Sequence, residues 1–287
     1  MIYESAEQWR ACERKKILLF GMSGVGKTHI SDILRKSGEW FHYSVDYRIG
    51  TRYMGEYIVD NFKREAMRNE FLAGLLKSDS IYIASNITFD NLAPLSTYLS
   101  KPGNPELGGI PYEEYKLRQD QHCIAEMASL RESKLFIEKA QKIYGYRNFV
   151  CDSGGSICEI VDPDDKNDDL MNALAEQLLL IWIREGEDHV QQLAERFDQA
   201  PKPMYYHPSF LEEMWQEYCR LESCSADRVD PDKFVRWIYL KAVRRRMPRY
   251  RAMAENWGIQ LHANDVREVA SAEDFSELVA ASLDRRR

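Results

Sequence analysis

The residues with the clearest chemistry are GMSGVGKT at 21–28, which have the G-x-x-x-x-G-K-[ST] spacing of a phosphate-binding loop. Gly21, Gly24 and Gly26 let the backbone turn where a side chain would block a ligand. Successive N–H groups then face inward as an anion nest, and a following helix adds its positive end. The candidate nucleotide contacts are Gly21, Ser23, Gly24, Val25, Gly26, Lys27, Thr28 and His29. Lys27 is placed to reach the β- and γ-phosphates, and the Thr28 hydroxyl to hold Mg²⁺. The nucleotide expected is ATP, since no guanine-specific N-K-x-D stretch occurs.

Such a loop works only between a strand and a helix. The apolar run KILLF (16–20) predicts a buried parallel strand, and 27–36 predicts a helix with Ile30, Ile33 and Leu34 on one face. Further strands are expected at 41–46, 148–152, 178–183 and 258–263. Helices are expected over 51–76, 112–143, 169–177, 187–198, 209–221 and 231–256, and from Ser271 onward, with 86–110 as loop. Alternation of strand and helix implies a three-layer α/β fold around a parallel sheet of about five strands. The expected organisation is one P-loop domain over 1–287, with a helical insertion at about 66–147 and a lid at about 198–208.

Two acidic residues end strands of this pattern. Asp152 closes the apolar run NFVCD, as a Walker B acid does, and is the second candidate magnesium ligand; the bland alternative is a turn residue. Asp46 ends the second strand 18 residues after Thr28, where a carboxylate can orient a hydroxyl or take its proton. Arg48 and Arg52 follow and either clamp an anionic acceptor or lie on a solvated face.

Composition narrows the class. A net charge of −7 argues against whole-surface binding to nucleic acid or anionic membrane. The six cysteines form no C-x-x-C pair, and no run reaches membrane-span length, so a cytoplasmic protein that makes no membrane contact is expected. The acidic run DPDDKNDD (162–169) lacks the glycine and final glutamate of a calcium loop and reads as solvated. The cluster Arg244, Arg245, Arg246, Arg249 and Arg251 reads as a basic helix face meeting acidic neighbours, with phosphate contact as the alternative.

Around these residues the chain resembles small-molecule P-loop kinases of the shikimate and gluconate kinase type, over about 16–65 and 148–287. The resemblance implies a strand order of 2-3-1-4-5 and transfer of the γ-phosphoryl of ATP to a small hydroxyl-bearing acceptor. It assigns the acceptor hydroxyl to Asp46 and an acceptor-touching glycine turn to Gly154 and Gly155. The stretch FKRE (62–65), with Arg64, is similar to an acceptor-binding segment of that group. Lys202-Pro203 stands where such kinases carry an Arg-Pro lid pair, and Arg196 is the candidate for the missing guanidinium. Lys27, Asp46, Arg196 and Lys202 are thus the expected catalytic set. The insertion has no counterpart in the short members and is expected to shape the acceptor site. The competing expectation is an ATP-binding regulatory module whose insertion meets a protein or RNA partner.

Overall fold

A computed structural model of the chain describes residues 2–186, 193, 195, 197–199 and 201–285. In chain order the elements are α1 (Ala6–Ala11), β1 (Lys16–Phe20), α2 (Lys27–Lys36), β2 (Trp40–Ser44), α3 (Val45–Arg48), α4 (Gly55–Ala66), α5 (Glu70–Lys77), α6 (Ala93–Leu99), α7 (Tyr112–Lys142) and β3 (Asn148–Asp152). They continue as α8 (Ile157–Ile160), α9 (Asp169–Ala175), β4 (Leu179–Arg184), α10 (Pro208–Leu221), α11 (Pro231–Trp257), β5 (Gly258–His262), α12 (Ala263–Arg267) and α13 (Ala272–Arg285). A π-helical turn, Ile49–Tyr53, joins α3 to α4. The helix expected at 187–198 falls largely outside the described residues.

The chain forms two compact units. The first comprises Met1–Val45, Met127–Pro201 and Arg236–Arg287, and the second Asp46–Glu126 and Lys202–Val235.

The first unit holds a five-stranded sheet in the order β2-β3-β1-β4-β5, with every neighbouring pair parallel. Strand β1 is central, with Leu18 opposite Cys151 of β3 on one side and Leu180 of β4 on the other. Both faces of a parallel sheet are covered, so its inner strands read as continuous apolar runs. Accordingly Ile17–Phe20 and Leu179–Ile183 are almost fully buried. Helix α2 turns Ile30, Ser31 and Leu34 inward. At the far end of the chain, Ser271 accepts from the Asp274 amide and Asp274 from the Ala270 amide, which starts α13 where the capping residues predict it. The N-terminal helix α1, not expected from the sequence, is tied to α13 by the buried Trp9, whose Nε1 donates to the Ser276 carbonyl at 2.9 Å.

The second unit is helical. One continuous helix was expected over 51–76, but the chain breaks at 67–69, where Asn69 caps α5 by accepting from the amides of Phe71 and Leu72. The segment expected as loop contains α6, entered through Pro94. Tyr112 of α7 stacks on Trp215 of α10 with centroids 4.3 Å apart, and Trp215 meets Phe234 edge-on at 4.9 Å.

Candidate nucleotide and phosphoryl-transfer site

Within the first unit, β1 delivers the chain straight into the glycine loop, and α2 begins at Lys27. Gly21, Gly24 and Gly26 all have positive φ, at 138°, 86° and 110°. Gly21 has a second reason to lack a side chain: a Cβ there would lie 2.5 Å from the Ile183 carbonyl oxygen of β4. The loop is therefore held close against the sheet by steric necessity. Among the described residues, the amides of Ser23, Gly24 and Gly26 donate to no protein acceptor. Orphan amides beside a helix N-terminus are a ready anion cradle.

Lys27 is buried and folded back, its Nζ donating to the carbonyls of Gly21 (2.9 Å) and Met22 (3.0 Å). The ammonium is thus stored at the rim of the cradle. Thr28 is exposed in the first turn of α2, and its Oγ1 donates to Asp152 Oδ2 at 3.3 Å. Asp152 ends β3, so strand register and helix start bring a hydroxyl and a carboxylate together, a pair of oxygens that suits a hard cation. No cluster of three or more acidic, histidine or cysteine side chains suited to a metal occurs among the described residues. A cation here would take a hydroxyl, a carboxylate and oxygens from water and phosphate, as magnesium does in such sites. His29 lies exposed one residue further along α2.

Beneath Asp152 sits His42 of β2, with Nε2 4.0 Å from Asp152 Oδ2. Burial, with the Arg35 charge second, pushes the imidazole pKa down to about 4. It is uncharged at neutral pH, so this approach is not an ion pair.

The turn after β3 is built against the loop. Ser153 donates from its amide and hydroxyl to the Leu19 carbonyl, at 3.1 and 2.8 Å. Gly154 is buried, and a Cβ on Gly155 would lie 3.4 Å from the Ser23 amide nitrogen. The Gly155 carbonyl is gripped by Arg246 Nη1 at 2.9 Å and by the Tyr250 hydroxyl. Arg246, 2% exposed, also donates through Nε to Glu159 Oε1 at 2.9 Å. Arg245 reaches the other oxygen of Glu159 at 3.4 Å, and Arg249 donates to the carbonyls of Cys158 and Val161. The arginine cluster of α11 therefore does meet an acidic neighbour, but through buried contacts that brace the glycine turn. Sequence reasoning did not single out Glu159, Tyr250 or His42. A buried glutamate seven residues after a strand-end aspartate has no local signature.

In the second unit, Asp46 and Arg48 lie in α3 and Arg52 in the π-helical turn. Strand β2 stops at Ser44, two residues earlier than expected, so Asp46 belongs to a helical turn and not to a strand end. Lys202 is exposed. Tyr205 and Tyr206, which follow it, are buried and pack back on the protein: Gln119 of α7 donates to the Met204 carbonyl at 3.1 Å and accepts from the Tyr206 amide at 2.9 Å. Arg196 lies outside the described residues.

A central parallel strand running into G-x-x-x-x-G-K-T and then a helix, within a 2-3-1-4-5 sheet, is the P-loop NTPase type of α/β fold. No helix among the described residues is long and apolar enough to cross a membrane. No family model matches the chain, and no curated protein matches it in sequence. Among solved structures, a shikimate kinase from Bacteroides thetaiotaomicron is similar at 15% identity and a TM-score of 0.37, with 95% of this chain and 96% of that one covered. That likeness is distant, and the site's reading rests on the residues described above.

Proposed function

We propose that the chain binds a magnesium–ATP complex at 21–28 and transfers the γ-phosphoryl group to a small hydroxyl-bearing acceptor. The observation that carries this reading is the 3.3 Å approach of Thr28 Oγ1 to Asp152 Oδ2 beside the cradle of orphan amides. The pair suits a hard cation, and the cradle suits the phosphates it accompanies. Bound magnesium would neutralise charge between the β- and γ-phosphates.

The chain's own residues supply the rest. The amides of Ser23, Gly24 and Gly26 hold phosphate oxygens. Lys27 exchanges the Gly21 and Met22 carbonyls for phosphate oxygens, delivering its charge where it develops during transfer. Asp46 orients the acceptor hydroxyl and accepts its proton, Arg48 and Arg52 hold an anionic part of the acceptor, and the Gly154–Gly155 turn borders it. Lys202 and Arg196 are the lid cations, which exclude water from the reacting phosphate.

Calorimetric titration with magnesium–ATP tests the first half. Lys27→Ala is expected to weaken binding at least about tenfold, a loss near 1.4 kcal/mol. An unchanged isotherm would remove the nucleotide site. ADP release measured with pooled hydroxylated metabolites tests the second half. Acceptor-stimulated release that is lost in Asp46→Asn, with ATP affinity retained, supports transfer. Stimulation by protein or RNA fractions, indifferent to Asp46, would replace it with a regulatory ATPase.

A further inference from the structure

At the N-terminal ends of the strands, opposite the phosphate loop, the first unit carries a second polar cleft of about 450 Å³. Its lining includes Arg10, Arg14, Lys15 and Arg147, against the carboxylates of Glu13 and Glu39. A smaller cavity of about 150 Å³ shares Arg14 and Arg147 and adds Lys16. Five cations against two carboxylates are concentrated here in a chain whose formal net charge is −7.

Of these charges only Arg10 is matched by a carboxylate at ion-pair distance among the described residues. Arg10 is paired with Glu277 at 2.7 Å. Lys15 Nζ donates to the Cys12 carbonyl at 2.7 Å and lies over the Trp9 ring, 5.3 Å from its centroid, which leaves its charge without an anionic partner. Among the described residues the Arg14 guanidinium meets the Gln141 side chain, a neutral partner. Arg147 and Lys16 form no side-chain ion pair among the described residues.

The rim is rigid where it matters. The Lys15 amide donates to Asn148 Oδ1 at 2.8 Å, the Phe149 amide to the Lys15 carbonyl at 2.9 Å, and the Asn148 amide to the Glu39 carbonyl at 3.1 Å. The main chain of three segments is thus tied together, which brings their cations around one space. The five residues of β1 separate this cleft from the loop by roughly 16 Å, at about 3.3 Å per residue.

We propose that this cleft is a binding site for a small phosphorylated molecule, distinct from the nucleotide site. The Arg147 guanidinium can present a parallel pair of N–H donors to a phosphate, Arg14 can turn from the neutral Gln141 to add a second pair, and Lys15 balances a further negative charge. The volume lies in the range of small-ligand pockets. This inference does not depend on phosphoryl transfer at the loop.

The test uses inorganic pyrophosphate without magnesium, titrated calorimetrically into Lys27→Ala so that the phosphate loop contributes least. The expected result is saturable binding near or below about 1 mM at low salt. Binding is expected to weaken at least tenfold when Arg14→Glu and Arg147→Glu are added. Equal affinity with and without the two reversals, or no binding to the Lys27→Ala protein, overturns the proposal. If the doubly reversed protein does not fold, Arg147→Gln on an exposed position is read the same way, with at least a threefold loss expected and no change refuting. A ten-nucleotide single-stranded RNA that binds more tightly than pyrophosphate and is lost with the same reversals would assign the surface to nucleic acid instead.

Discussion

Replacing Arg246 by methionine isolates the brace behind the phosphate loop. The side chain is buried and holds two partners, Glu159 at 2.9 Å and the Gly155 carbonyl at 2.9 Å. Removing one member of a buried ion pair costs about 3–5 kcal/mol, because the other charge is left in a poor solvent. Glu159 retains Arg245 at 3.4 Å, a partly exposed guanidinium, which places this loss at the low end. Gly155 retains the Tyr250 hydroxyl, so its lost bond adds only about 1 kcal/mol. The sum, about 3–4 kcal/mol, corresponds to a fall in Tm of about 10 °C for a unit of this size. Urea unfolding measures it. The double variant Arg246→Met/Glu159→Leu puts apolar groups in both places and is expected to recover at least half of the loss, since no charge is then stranded. A single variant within 1 kcal/mol of the parent, or a double variant as unstable as the sum of the two singles, would refute the reasoning.

Gly21→Ala is expected to destabilise by about 2–3 kcal/mol in the same assay, because the added methyl meets the Ile183 carbonyl and the residue must hold a φ of 138°; a neutral effect would mean the loop is not pinned to β4. For His42, the folded imidazole titrates near 4 and the unfolded one near 6.5, so the unfolded state takes the proton first and stability falls as pH drops through that window. The loss is about 3 kcal/mol between pH 6.5 and 4 in magnesium-free buffer, and His42→Asn should flatten it; an identical acid profile in the variant would discard this account. Gln119→Met removes both hydrogen bonds that anchor 204–206 at little change in volume, about 1–2 kcal/mol locally. Hydrogen exchange at the Tyr206 amide should accelerate roughly tenfold, and unchanged protection would show that the segment is held by packing alone.

The fold was largely legible because its signals are local. KILLF, the glycine loop and the amphipathic α2 are contiguous, and strand and helix periods need no distant partner to be read. The same holds for NFVCD and for the Ser271 cap. The sequence fell short where long-range packing overrules local pattern. Val45–Arg48 looks extended beside β2 but coils, which moves Asp46 from a strand end into a helical turn. Residues 86–110 look like loop, yet Pro94 opens a helix.

By itself, then, the sequence determined a P-loop α/β chain with Lys27 and Thr28 at the start of the helix after its glycine loop, since backbone conformations that demand glycine leave their mark at each position. Only the tertiary structure decided that Asp152 stands beside Thr28, that Arg246 and Tyr250 hold Gly155 against Ser23, and that Gln119 secures Met204 and Tyr206. The hydrogen-bonded partners among them lie between 85 and 124 residues apart in sequence. Hydrogen bonds and ion pairs between such residues depend on distances that no local pattern encodes, so they exist only once the sheet and its helices have packed.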